Sequence, residues 1–334
     1  MRLCKPSFEI IEQQPGLNGI YKQIELAGRT CYKSEDKITE DSAKAFVDRM
    51  IASGHGAMLE HGTVYLRIPY SDHKCAFPFE NGYYEDCVGN YHHNKYSKMV
   101  QVWEDDNTAY DYVTTNLRVL VENDWLMDLQ YICEPTEHHE KRVTVRFTCD
   151  RGVSHEFVRH RVFSFAQEST RYCNYSKDKF GNEITYITPL WLDCSDVDTI
   201  NSNPVDVDKL SDIGYAFFNT LWESEQAYTS LLNKGWKPQQ ARAVLPNSLK
   251  TELVMTGFVS DWWGKTNIIK GNRLVKSISN GSSNLEAEVS KYDSSYKVVR
   301  NGFFGLRCTP AAHPQAQELA IPLREEFIRR NYLN

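Results

Sequence analysis

Residues Arg159–Arg171 read RHRVFSFAQESTR. Arg159, His160, Arg161, Ser169 and Arg171 fall within this one stretch, with Val162, Phe163, Phe165 and Ala166 between them. A solvated charged face is rarely so apolar. The pattern predicts cationic and hydroxyl groups lining a pocket with an apolar floor. An anionic ligand carrying flat rings suits such a pocket, because charge-assisted bonds to phosphate are strong and Arg makes two in parallel. The competing reading is a basic cluster at a helix end.

The flanking segments define the setting. Arg142 to Thr148 (RVTVRFT) alternates as a strand, and so does Thr63 to Ile68 (TVYLRI). Asp150 is placed to cap a helix that begins at Arg151 and runs into the RHR segment. On that helix Glu156 precedes Arg159 and His160 by one turn, so the three would share a face. Ser42 to Ser53 reads as an amphipathic helix closed at Gly54. Ser211 to Asn233 reads as a long helix closed by Gly235, and Pro238 opens another, PQQARAVL. A last helix spans roughly Pro314 to Arg330. Strands and helices mix without βα alternation, which predicts an α+β fold. Neither GxGxxG nor GxxxxGK[ST] occurs, so a nucleotide must be held by side chains and loops.

The 334 residues suffice for a substantial core, and 41% hydrophobic with 25% charged residues is the balance of a globular protein. A net charge of −6 argues against general nucleic-acid binding, so any anion site is a local positive focus. No stretch approaches the length of an apolar membrane span, and the amino terminus shows no signal-like segment. Nine scattered cysteines without a CxxC pair predict free thiols in a reducing cytoplasm. Residues 74 to 140 and 263 to 302 stand out as additions, the second a polar surface β-excursion with a hairpin turn expected at Asn280-Gly281.

RHR, seven residues, Ser, and Arg two further on resembles the signature of the flavin-dependent thymidylate synthases. Three further segments share the resemblance. They are GHGAMLEHG with Glu60, His61 and Thr63; QARAVLPN with Arg242; and FFGLRCTPAAHPQAQ with Arg307, His313 and Gln315. The resemblance runs in order through residues 20 to 70, 142 to 190, 209 to 262 and 303 to 330. It implies one domain over 1–334 with the thymidylate synthase-complementing fold: mixed helices on a central, mainly antiparallel sheet, with insertions at about 74–140 and 263–302. It implies methylation of dUMP to dTMP, with methylenetetrahydrofolate as carbon donor and NADPH as reductant through FAD, in a homotetramer.

The same resemblance distributes the site residues. Arg307 and Ser169 take the catalytic roles. Glu156, Arg159, Gln167, Glu168, Ser169, Thr170, Arg171, Arg242 and Arg307 face dUMP. His61, Thr63, Arg159, His160, Arg161, Gln167 and His313 face FAD. The chain departs from the family pattern at Gln167 (often Glu), Ala166 (often Asn), Glu156 (Gln in some members), and near Ser260 and Gly302 (Asn in some). An Arg307 flanked by Phe304, Leu306 and Cys308 is costly to bury alone and calls for an anionic partner. No metal site is expected: His92-His93 and His138-His139 read as exposed polar pairs without HExxH spacing. Cys173 follows the signature closely, but no Cys-His relay accompanies it. Two alternatives stay open: a flavoprotein acting on another pyrimidine nucleotide, and an RNA-binding module that stacks bases on its aromatics.

Overall fold

Among the described residues lie twelve strands: β1 (Arg2–Cys4), β2 (Ser7–Ile11), β3 (Thr63–Pro69), β4 (Lys98–Trp103), β5 (Ala109–Asn116), β6 (Arg142–Asp150), β7 (Ser164–Gln167), β8 (Thr185–Ile187), β9 (Lys250–Phe258), β10 (Lys265–Lys270), β11 (Arg273–Ser279) and β12 (Lys297–Arg300). They come from a computed structural model that describes residues 1–70, 91–105, 108–175 and 183–333. The central sheet has the order β2-β6-β9-β7, antiparallel throughout. Helices and antiparallel sheets mix as expected, but the strands divide among four sheets, not one: β3-β5-β4 and β11-β10-β12 are antiparallel, and β1 pairs with β8 in parallel.

β6 is central because its residues are apolar on one face and bury on both. Val143, Val145, Phe147 and Cys149 enter a core shared with Ala316, Leu319, Leu323 and Phe327 of the helix Pro314–Arg329. On β9 the pleat divides the cores: Leu253 and Met255 join that cluster, whereas Val254 joins a second. The second core lies under the helices Gly16–Tyr32 and Ser42–Ala52. A third packs Leu221 and Tyr228 of the helix Asp212–Asn233 against Leu3, Cys173 and Tyr186.

Part of the segment 74–140, read as an addition, is core. Val113 of β5 and Leu117 and Leu120 of the helix Leu117–Glu122 belong to the second cluster. Residues 74–90 of that segment lie outside the described residues. His139 is also internal, its Nε2 donating to the Leu66 carbonyl at 3.0 Å, which corrects its reading as an exposed residue. The hairpin of β10 and β11 turns at Gly271, whose φ is +60°, and not at Asn280-Gly281. Asn280 follows β11, and its amide donates to the carbonyls of Trp263 and Asn301 at 2.9 and 2.8 Å. A tether across two chain ends uses the Asn side chain where a turn would use only its backbone.

Candidate functional site

Asp150 ends β6 and caps the helix Arg151–Phe157 by accepting from the Val153 amide at 2.7 Å. The cap fixes where the helix starts, and the helix stops at Phe157, short of Arg159. Glu156 therefore does not share a helical face with Arg159 and His160. Its carboxylate instead meets Arg307 at the end of the helix Phe303–Arg307, Nη1 to Oε2 being 2.7 Å. Arg307 also donates from Nη2 to the Glu156 carbonyl at 2.6 Å and from Nε to His160 Nε2 at 3.0 Å. The anionic partner that Arg307 requires is thus internal to the chain. As the acceptor, His160 is neutral there, and burial with the Arg307 charge beside it holds its pKa down at about 4.

A cleft of about 260 Å³ opens beside this group, lined by Asp150, Glu156, Asn247, Ser248, His313 and Gln315. Gln315 reaches into it, donating to Asp150 Oδ2 at 3.0 Å. His313 is exposed at the start of the last helix, with its ring 5.7 Å from that of Trp191.

The second half of the signature builds another face. Ser169 is pinned by its amide to the Cys31 carbonyl at 3.0 Å, and its hydroxyl accepts from the Arg171 amide at 3.3 Å. Arg242 follows the short helix Pro238–Ala241 and donates to Thr170 Oγ1 at 3.0 Å, across 72 residues of chain. Arg171 lies over the ring of Tyr172, which packs against Tyr32, whose hydroxyl meets His55 Nδ1 at 3.3 Å. Arg159, Arg161, Arg171 and Arg242 are all exposed, and none has an ion-pair partner among the described residues. Arg151 and Ser154 link the two faces: Arg151 donates to the Glu168 carbonyl at 3.3 Å, and Ser154 Oγ accepts from Gln167 at 2.8 Å.

Several expected residues point elsewhere. His61 is fully buried with Nδ1 2.8 Å from Thr256 Oγ1, and burial first, then the Arg142 charge, pushes its pKa down to about 3. Thr63 is buried too, its hydroxyl accepting from Arg142 at 3.3 Å. Both belong to the protein interior and not to a ligand surface. The Glu168 carboxylate turns inward to Lys250 and Tyr175. The signature's apolar residues form no pocket floor. Phe163 and Ala166 sit in two different cores, Phe165 packs against the first, and Val162 is 64% exposed. His55, inside GHGAMLEHG but given no role by it, and Tyr32 join the Arg171 face, and neither carries a spacing signal. Among the described residues, no group of three His, Cys, Asp or Glu is arranged to hold a metal ion, and no helix is long and apolar enough to cross a membrane.

Residues 126–264 match the family model described as thymidylate synthase complementing protein. The family is the one the sequence resembles. The matched span holds the whole signature and Arg242, and leaves Arg307 and His313 outside it. Relatives named flavin-dependent thymidylate synthase include that of Thermococcus onnurineus, 24% identical over 52% of this chain and 64% of its own. Those of Geobacter sulfurreducens (27%, covering 32% and 38%) and Corynebacterium aurimucosum (33%, covering 34% and 43%) are shorter matches. The chain thus spans at most 64% of the length of these relatives. A UMP/dUMP methylase from Streptomyces cacaoi, crystallised with 5-Br UMP, superposes over 98% of this chain and 92% of its own at a TM-score of 0.36 and 12% identity.

Proposed function

We propose that the protein methylates dUMP to dTMP, taking the carbon from methylenetetrahydrofolate and reducing equivalents from NADPH through FAD. The observation that carries this reading is the face on which Ser169, Thr170, Arg171 and Arg242 converge, with both guanidinium groups exposed. A nucleotide phosphate needs such cations, and hydroxyl and amide donors beside them read the rest of the molecule. Ser169 serves as a donor to the nucleotide and not as a nucleophile. Negative charge develops on the ring oxygens as uracil C5 becomes nucleophilic. Arg307, already oriented by Glu156 and His160, is the group to stabilise it.

The residues fit a flavin. Arg159 and Arg161 flank His160 as exposed cations suited to the diphosphate. FAD supplies the hydride chemistry, and the protein orients it and excludes side reactions. Of the other expected flavin contacts, Gln167 and His313 remain open to a ligand, whereas His61 and Thr63 are interior. We assign the active form as a cytoplasmic homotetramer whose site draws on several subunits. The first test is the absorption spectrum. The protein is expected to purify yellow or to bind FAD stoichiometrically, with bands that bleach on adding NADPH. A colourless protein indifferent to FAD refutes the assignment, and release of tritium from [5-³H]dUMP separates it from action on another pyrimidine.

Cys173 is fully buried in the third core, away from any solvent-open surface. Cys173→Ala is therefore expected to keep substantial turnover. Complete loss in a folded, flavin-loaded variant would revive a thiolate mechanism.

We read residues 263–302 as an excursion inserted into the family fold. Its ends meet, for the Lys265 and Asn301 backbones bond at 3.0 Å and a Cβ on Gly264 would lie 2.4 Å from Gly302 Cα. Replacing residues 265–301 by a short Gly linker is expected to leave a folded flavin protein. Thr266, Ile268 and Leu285 are buried, so some thermal stability is lost. An insoluble product would show the segment to be integral.

A further inference from the structure

The nucleotide face rests on a half-buried cluster of charges around the buried Glu168. Glu168, next to Ser169, is 2% exposed, and its carboxylate lies 3.3 Å from Lys250 Nζ and 3.9 Å from Lys33 Nζ, with the Tyr175 hydroxyl donating at 3.1 Å. Glu252 joins the same two lysines, each at 2.6 Å from Oε1, and its backbone carbonyl accepts from the Glu168 amide at 2.8 Å. Two lysines thus face Glu168 and Glu252, and Lys33 also meets the Glu35 carboxylate at the rim at 3.4 Å. Burial alone would raise the Glu252 carboxyl, yet Lys250 and Lys33 hold it down at about 2. The cluster spans three elements: the end of the helix Gly16–Tyr32, the start of β9 and the end of β7. Lys33 closes that helix at φ 47°, a left-handed conformation that a lysine rarely adopts. The same helix end supplies the Cys31 carbonyl that pins Ser169.

We propose that Lys33 and Lys250 are positioning residues for nucleotide binding. By holding Glu168 inward they fix the course of the loop that follows, so that the buried Thr170 meets Arg242 and the exposed Arg171 is presented to a nucleotide phosphate. The inference rests on the functional reading above. Neither lysine touches the ligand: both act through Glu168 and the loop it begins. A buried ion pair is weak evidence for stability but is well suited to fixing one arrangement among several. Removing Lys250 alone leaves Glu168 and Glu252 sharing Lys33, whereas removing Lys250 together with Glu168 keeps the remaining pair matched.

The test uses the full chain loaded with FAD and reads dUMP and FAD affinity by calorimetry. Lys250→Met is expected to weaken dUMP binding about tenfold or more, since the loop's charge-assisted contacts depend on its placement, while FAD affinity holds. Lys250→Arg, which keeps the charge, is expected to restore dUMP binding. In the double variant Lys250→Met/Glu168→Leu the buried charge is gone. Its melting temperature is expected to recover toward the parent while dUMP binding stays weak. This variant also serves if Lys250→Met does not fold. Parental dUMP affinity in Lys250→Met, or affinity that recovers together with melting temperature in the double variant, overturns the proposal. A parent protein that binds FAD but no dUMP refutes the functional reading instead.

Discussion

Replacing Arg307 by alanine is expected to lower turnover by about 10²- to 10³-fold in a protein that still binds flavin, the usual cost of removing a donor aimed at developing negative charge. Arg307 already makes three bonds, to both the carboxylate and the carbonyl of Glu156 and to His160. Those bonds fix the group before substrate arrives, so little reorganisation remains for the reaction. Arg307→Lys keeps the charge but loses the planar fork, and is expected to fall between alanine and the parent. Single-turnover formation of dTMP measures the chemical step directly. Near-parental rates in folded, flavin-loaded Arg307→Ala would remove Arg307 from the mechanism.

Arg171→Ala and Arg242→Ala are each expected to weaken dUMP binding by about ten- to a hundredfold, from roughly 1.5–3 kcal/mol per charge-assisted contact. Both side chains are exposed, so truncation leaves no buried charge and should spare the fold. Arg242→Ala also releases Thr170, its partner at 3.0 Å. The two effects should therefore be less than additive, because both changes act on one short loop. Calorimetry with dUMP and with FAD separates the roles. Equal loss of both ligands would contradict the assignment of these arginines to the nucleotide.

Local patterns in the sequence were sufficient where the physics is local. Asp150 as a helix cap, alternation in β6, Gly235 after a long helix and Pro238 opening the next all depend on residues within a few positions. β5 was missed because it is buried nearly throughout, so its pattern lacks the alternation that marks a half-exposed strand. Asn280-Gly281 was misplaced because turn propensity is local, whereas the demand for an amide bridging Trp263 and Asn301 comes from distant chain.

The signature shows the same division. Its spacing alone determined that cations and a hydroxyl cluster in Arg159–Arg171, and its resemblance named a family that residues 126–264 match. Which way each side chain points was decided only by tertiary structure. Glu168 and His61 turned inward, Val162 turned outward, and Glu156 paired with an arginine 151 residues away. A charged residue goes inside only where a partner of opposite charge or a polar neighbour waits. Here Lys250, Thr256 and Arg307 meet Glu168, His61 and Glu156 across long stretches of chain, and no sequence window contains such a pair.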